Sequence, residues 1–231
     1  MRERIGNTLS LFRCLVRKNL WTVVLILAVV GFIALLEEVH EDGLLALDSW
    51  AYYLVVLHMR SEWLTPIMQS ISELALPVVL VVMLLVVEAF APGRRPGVCA
   101  AVNLALALAL NLVLKELVQR PRPEGYRLIA ESGYSFPSGH SMVAMAFYGL
   151  LVWMVWRYER DRFVKALCMG GLSLVIVAVG LSRIYLGVHY ASDVIAGFCV
   201  SIAWLCAYTR IFVPMFLPEA HVAAHQAVDR K

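Results

Sequence analysis

The chain has 231 residues, 61% of them hydrophobic and 16% charged, with a mean hydropathy of +0.76 and a formal net charge of +3. That is far more apolar than a soluble domain of this length requires, so a water-soluble globule is excluded and an integral membrane protein is expected. The small positive charge comes from basic segments between apolar runs and gives no reason to expect a nucleic-acid partner.

In chain order, Ile5, Leu9, Phe12 and Val16 recur at helical spacing beside Arg13, Arg17 and Lys18, the pattern of a short helix lying on a membrane surface. Leu20 to Leu36 is the first predicted span. It follows basic residues as a signal peptide does, but it is longer than a signal core, lacks a small-x-small cleavage site and runs into Glu37-Glu38, so retention is expected. Glu37, Glu38, His40, Glu41 and Asp42 read as a solvated acidic loop rather than a metal cluster. Gly43 to Met59 is apolar but short, carries Asp48, and is rich in Trp50, Tyr52 and Tyr53, which favour the interface. It reads as an interfacial or re-entrant helix.

Further spans are predicted at about Leu64 to Phe90, Val98 to Val118, Gly139 to Trp156, Phe163 to Leu181 and Tyr190 to Phe212. Each is near the roughly 20 residues needed to cross about 30 Å of hydrocarbon. No interval would hold a soluble domain and no repeat is visible. The expectation is therefore an all-α, polytopic membrane helical bundle, six transmembrane helices plus interfacial helices, forming one domain over residues 1–231. Cys14, Cys99, Cys168, Cys199 and Cys206 fall within spans or toward the inner side and read as small core residues. Glu73 and Asn111 either pair inside the bundle or line a cleft, and Glu219, His221 and His225 belong to a polar tail.

Charge gives the orientation. With the amino terminus inside, only Arg60, Lys115, Arg120, Arg122, Arg127 and Arg183 of the 20 Lys and Arg residues lie on the outer side, so 14 lie inside. Three of the outer six belong to clusters that gather at the outer ends of the third to sixth spans.

In the first cluster, Lys115 and Arg122 are seven residues apart, but Pro121 and Pro123 end the helix, so Lys115 points from its last turns and Arg122 leaves in the exit loop. Alone, Lys115 is equally a snorkelling residue. In the second, Pro137-Ser138-Gly139-His140 precedes an apolar run, where backbone N–H groups and the positive end of a helix dipole attract an anion. Ser138 is equally an ordinary N-cap. In the third, Ser182-Arg183 closes a span and His189 lies four residues before Asp193. If a helix has begun by His189, that spacing lets the carboxylate hold one ring nitrogen, fix the tautomer and leave the other free to attack, although a His-Asp pair can also simply cap a helix. Three cations, two histidines and a carboxylate are costly at membrane depth, so together they point to a working site suited to phosphate ester cleavage.

The pattern Lys-x6-Arg-Pro, Pro-Ser-Gly-His and Ser-Arg-x5-His-x3-Asp, running without a gap from Lys115 to Asp193, resembles the signature of the type 2 phosphatidic acid phosphatase superfamily. The flanking spans are similar to its six-helix membrane branch. The resemblance implies a lipid phosphatase in which His189 forms a phosphohistidine, Asp193 orients it, and His140 protonates the leaving oxygen and later activates water. Lys115, Arg122, Ser138, Gly139 and Arg183 would hold the phosphate oxygens, with no metal and no cofactor. It further implies a phosphorylated membrane lipid as substrate, with undecaprenyl diphosphate favoured over phosphatidylglycerophosphate and phosphatidate. The setting would be the outer face of the plasma membrane, with no obligate protein partner. A phosphotransferase using the same phosphohistidine is the alternative, and a lipid transporter a more distant one.

Overall fold

A computed structural model describes residues 19–41, 44–90, 95–125 and 127–217. The amphipathic segment before Asn19, Asp42, Cys14 and the tail with Glu219, His221 and His225 lie outside the described residues. The described residues form helices and connecting turns. α1 is Leu20–Glu41, α2 Ala46–Ala51, followed by a π-helical turn Tyr52–His58; α3 is Leu64–Glu73, α4 Pro77–Phe90, α5 Arg95–Val118, α6 Gly139–Tyr158, α7 Arg162–Tyr185, α8 Ala191–Ile211 and α9 Val213–Phe216. Five helices are long and apolar enough to cross a membrane, and the α3–α4 pair makes a sixth if it is one broken span.

Several boundaries differ from those read in the sequence, three of them with consequences for the site or the topology. α1 continues through Glu37 and Glu38 to Glu41, because glutamate is a good helix former and these side chains point outward at no cost. The run from Leu64 to Phe90 is two helices bent by 59°. Pro77 opens the second, where its missing N–H is harmless, while Ala75 N–H and Leu76 N–H turn back onto Ser72 and Glu73 carbonyls. The last long helix starts at Ala191, so His189 precedes it.

α5, α6, α7 and α8 supply most of the interior, with Ala100, Leu104, Phe147, Leu150, Val179 and Tyr208 in one cluster. Polar side chains tie these helices where lipid offers no competing partner. Asn103 Nδ2 donates to the Ala146 carbonyl at 2.7 Å and its Oδ1 accepts from Trp204 Nε1 at 2.8 Å, linking α5, α6 and α8. Leu85, Leu112, Leu117, Phe163 and Leu174 stand on the outside, as lipid contact requires. Cys99 and Cys206 are buried as expected, Cys199 is half-buried, but Cys168 is exposed on α7, a position where lipid rather than protein accommodates the thiol. Glu73 is exposed, and Asn111 is buried.

The segment 44–58 does not form a span. Trp50, Tyr53, Leu54 and Leu57 face outward, whereas Asp48, the residue whose charge argued for an interfacial position, is 2% exposed and points into the bundle.

Candidate active site

The three clusters converge at one end of α5, α6, α7 and α8. Gly187, at φ +74°, makes the turn between α7 and α8, and the chain then passes through His189 to Asp193 in the first turn of α8. Asp193 is placed there by its own helix start, since Tyr190 N–H donates to its Oδ2 at 2.9 Å. The carboxylate therefore meets His189 although the imidazole lies outside the helix. His189 Nδ1 is 3.3 Å from Asp193 Oδ2, and Ser135 Oγ donates a short hydrogen bond to the same oxygen.

The other ring nitrogen identifies the tautomer. Arg122 Nη1 lies 3.0 Å from His189 Nε2, and a guanidinium can only donate, so Nε2 carries the lone pair and Nδ1 the proton that faces Asp193. Burial pushes the His189 proton affinity down to about 4 against the opposing pull of Asp193, which leaves the ring neutral near pH 7.

Arg122 leaves α5 through the exit loop and is anchored along its whole guanidinium. Nε donates to the Gly133 carbonyl, Nη2 to the Ser132 carbonyl and Nη1 to the Val188 carbonyl, each at 3.0 Å. Lys115 Nζ donates to the Tyr134 carbonyl. Arg183, fully buried at the end of α7, donates from Nη1 to Ser72 Oγ at 2.6 Å and from Nη2 to Glu131 Oε2 at 2.8 Å. Its Nε is buried without an acceptor among the described residues, a donor still to be used. Glu131 stands between Arg183 and Arg122, and although burial raises its proton affinity, the charge and hydrogen bond of Arg183 together with the charges around it, Arg122 included, hold it below the usual carboxylate range.

α6 begins at Gly139 directly behind this group. Ser138 makes no side-chain cap; its hydroxyl accepts from Ser141 Oγ at 3.0 Å and its N–H donates to the Asp193 carbonyl at 3.0 Å. Ser138 N–H is thus already committed, and the first-turn N–H groups after it are the ones directed outward from the helix start. Gly139 is required by space, since a Cβ there would lie 2.9 Å from Asn111 Oδ1 and 3.8 Å from Lys115 Cε. Asn111, whose role the sequence left open, donates to the Pro137 carbonyl at 3.3 Å and so holds this loop from α5. His140 lies within electrostatic reach of Arg183, Glu131 and His189.

All eight residues singled out in the sequence therefore surround one locus. Four that were not singled out are built into it: Arg120, Glu131, Ser135 and Asp48. Arg120 sits two residues before Arg122 in the same Pro-rich exit and had a visible signal, whereas Asp48 had none in its own neighbourhood.

Residues 96–215 match the PAP2 superfamily. The chain belongs to it. The PAP2 match runs from α5 to α9 and contains all eight residues singled out in the sequence, while Asp48 and Ser72 lie before it. The chain is 30% identical over 178 residues to phosphatidylglycerophosphatase B of Bacillus subtilis, covering 74% of this chain and 86% of the relative. It is 32% identical over 127 residues to human dolichyldiphosphatase 1, covering 49% of this chain and 53% of the relative, so it spans about half of that protein. Among solved structures, the transmembrane PAP2-type phosphatidylglycerolphosphate phosphatase of Bacillus subtilis superposes with a TM-score of 0.72 at 27% identity, covering 80% of this chain and 94% of that one. This PAP2 chain is accordingly a multi-pass membrane protein of phosphatase type.

Proposed function

We propose that the chain, as one membrane domain, hydrolyses a phosphate monoester or diphosphate of a membrane lipid through a phosphohistidine at the outer face of the plasma membrane. The observation that carries this is the state of His189: neutral, its Nδ1 proton on Asp193, and its Nε2 lone pair turned toward the guanidinium of Arg122. In the first step Nε2 bonds to phosphorus as the phosphorus–oxygen bond to the lipid breaks, and His140, which takes up a proton as the negative phosphate seats beside it, gives that proton to the departing oxygen. In the second, His140 takes a proton from water, the water oxygen bonds to phosphorus, and the phosphorus–nitrogen bond returns its pair to Nε2. Arg122, Arg183, Lys115, Ser138 and the first-turn N–H groups from Gly139 onward hold the phosphate oxygens and meet the charge developing on them.

A polyprenyl diphosphate, of which undecaprenyl diphosphate is the favoured example, fits a site at one end of four long apolar helices, the level at which a membrane lipid carries its phosphate. The names of the two curated relatives lend support to a lipid diphosphate and to phosphatidylglycerophosphate, and phosphatidate is the third candidate. Purified protein offered these three lipids should release inorganic phosphate, fastest from undecaprenyl diphosphate. Activity should survive excess EDTA and dialysis and be inhibited by vanadate. Phosphate transferred to an acceptor instead of released, or activity recovered only with magnesium, would overturn the reading.

A further inference from the structure

Behind Asp193 lies a second charge layer that the chemistry above does not use. Arg120 Nη1 donates to Asp193 Oδ1 at 2.7 Å and to Ser192 Oγ at 2.8 Å, while its Nη2 donates to Asp48 Oδ2 at 2.9 Å. Asp48 is fixed in turn: its Oδ1 accepts from Ser192 N–H at 2.8 Å and its Oδ2 from Ser192 Oγ at 2.7 Å. The Arg120 guanidinium also lies over the Tyr190 ring, 4.1 Å from its centroid. The side chains of Arg120, Asp48 and Asp193 are 4%, 0% and 0% exposed.

We propose that Asp48 and Arg120 are positioning residues for the reaction at His189, forming with Asp193 a buried chain of alternating charge that fixes the carboxylate and sets how much negative charge it presents to the imidazole. The proposal rests on the reading of His189 as the nucleophile. Three buried charges are an expensive way to dock α2 against α8, since a well-packed apolar contact docks helices at less desolvation cost. The geometry has a division of labour that docking alone does not need. Asp193 gives Oδ1 to Arg120 and Oδ2 to His189, Ser135 and the Tyr190 N–H, so each oxygen has a separate task. Arg120 alone would neutralise Asp193. Shared with Asp48, it leaves the trio with one net negative charge, available to stabilise the imidazolium character that develops as Nε2 attacks.

The sign of each charge then becomes measurable. Besides Asp193 on α8, His189 faces Arg122 and Ser135 from the loop between α5 and α6, Arg183 from α7 and His140 from α6; Lys115 of α5 acts on Asp193, and Tyr190 and Glu124 flank the Asp48 side. None of these is altered in the variants below. Removing the negative charge with Asp48→Asn makes a protonated imidazole less favourable, so the acid limb of kcat/KM moves to lower pH. Removing the positive charge with Arg120→Gln moves it to higher pH, and Arg120→Lys, which keeps the charge and loses the fork, leaves it in place.

The test is the pH profile of p-nitrophenyl phosphate hydrolysis by purified full-length protein. Asp48→Asn and Arg120→Gln are expected to lower kcat roughly tenfold, as loss of an outer supporting partner does, with KM changed less than about twofold. Opposite shifts of the acid limb support the proposal. Shifts in one direction, or none, overturn it. Should Asp48→Asn fail to elute as a single species in detergent, the contrast between Arg120→Gln and Arg120→Lys decides alone; should these also unfold, the pair is a structural staple and the proposal falls. A parallel alkaline quench of wild-type protein with labelled substrate separates the two readings. Absence of alkali-stable labelled histidine removes the nucleophile and with it this proposal, whereas labelled histidine without the shifts removes this proposal only.

Discussion

At His189 the decisive physical fact is desolvation. A free imidazole titrates near 6.5, whereas burial takes this one to about 4, so between those values the folded chain binds fewer protons than the unfolded chain. Stability contributed by this group is therefore complete above pH 6.5 and declines as pH falls toward 4, by at most roughly 3 kcal/mol. Thermal unfolding in detergent should show the melting temperatures of wild type and His189→Gln drawing together as pH is lowered from 7 to 4.5; a constant gap would contradict a buried neutral ring. The two histidines separate by chemistry. His189→Ala should form no phosphoenzyme with any substrate. His140→Ala should lose most of the first step on a phospholipid monoester yet keep relatively more of it with p-nitrophenyl phosphate, whose leaving group needs little protonation. Rapid-quench measurement of phosphoenzyme distinguishes these outcomes, and equal losses on both substrates would remove the proton-donor role from His140. These residues were legible in the sequence because phosphate chemistry demands particular side chains at particular spacings. Asp48 was not, because its partners Arg120 and Ser192 are 72 and 144 residues away and its local surroundings resemble an interface.

Helix starts and helix crossings set the site's precision. Gly197 of α8 faces the opening of α6, and a Cβ there would lie 3.0 Å from the Ser138 carbonyl and 3.2 Å from Ser141 Cβ. That carbonyl already accepts from Met142 N–H at 3.0 Å, so it cannot easily retreat. Gly197→Ala should cost about 1–3 kcal/mol through overpacking and depress activity more than the same change at Gly170, where nothing lies within 4 Å. Paired melting curves and phosphate-release assays check this, and equal effects at the two glycines would contradict it. The spans themselves were readable from hydropathy, because lipid imposes length and apolarity on any crossing helix. The bend between α3 and α4 was not read. Leu74 to Pro77 keeps the apolar character of its flanks, and only Pro77 marked a boundary. That break matters to the site, because Ser72, just before it, accepts from Arg183.

For the whole molecule, orientation follows from where the basic residues collect. With most Lys and Arg placed inside, the orientation proposed above has the site open outward. Ser132 and Arg160 are both exposed and stand in loops assigned to opposite sides. On a cysteine-free background, Ser132→Cys should react with an impermeant thiol reagent in intact cells and Arg160→Cys only after permeabilisation; the reverse would place the chemistry inside.

The contact between Arg122 Nη1 and His189 Nε2 has a consequence for timing. In the proposed mechanism the lone pair that attacks phosphorus is also the acceptor that the guanidinium uses, so it cannot do both at once. A phosphate group resolves the conflict by offering Arg122 a stronger, charged acceptor, and recognition and unmasking become one event. The proposed nucleophile is thereby kept behind a latch that opens to an anionic oxygen. An uncharged electrophile of similar size carries no key to it, which makes reactivity itself, and not merely binding, selective for phosphate.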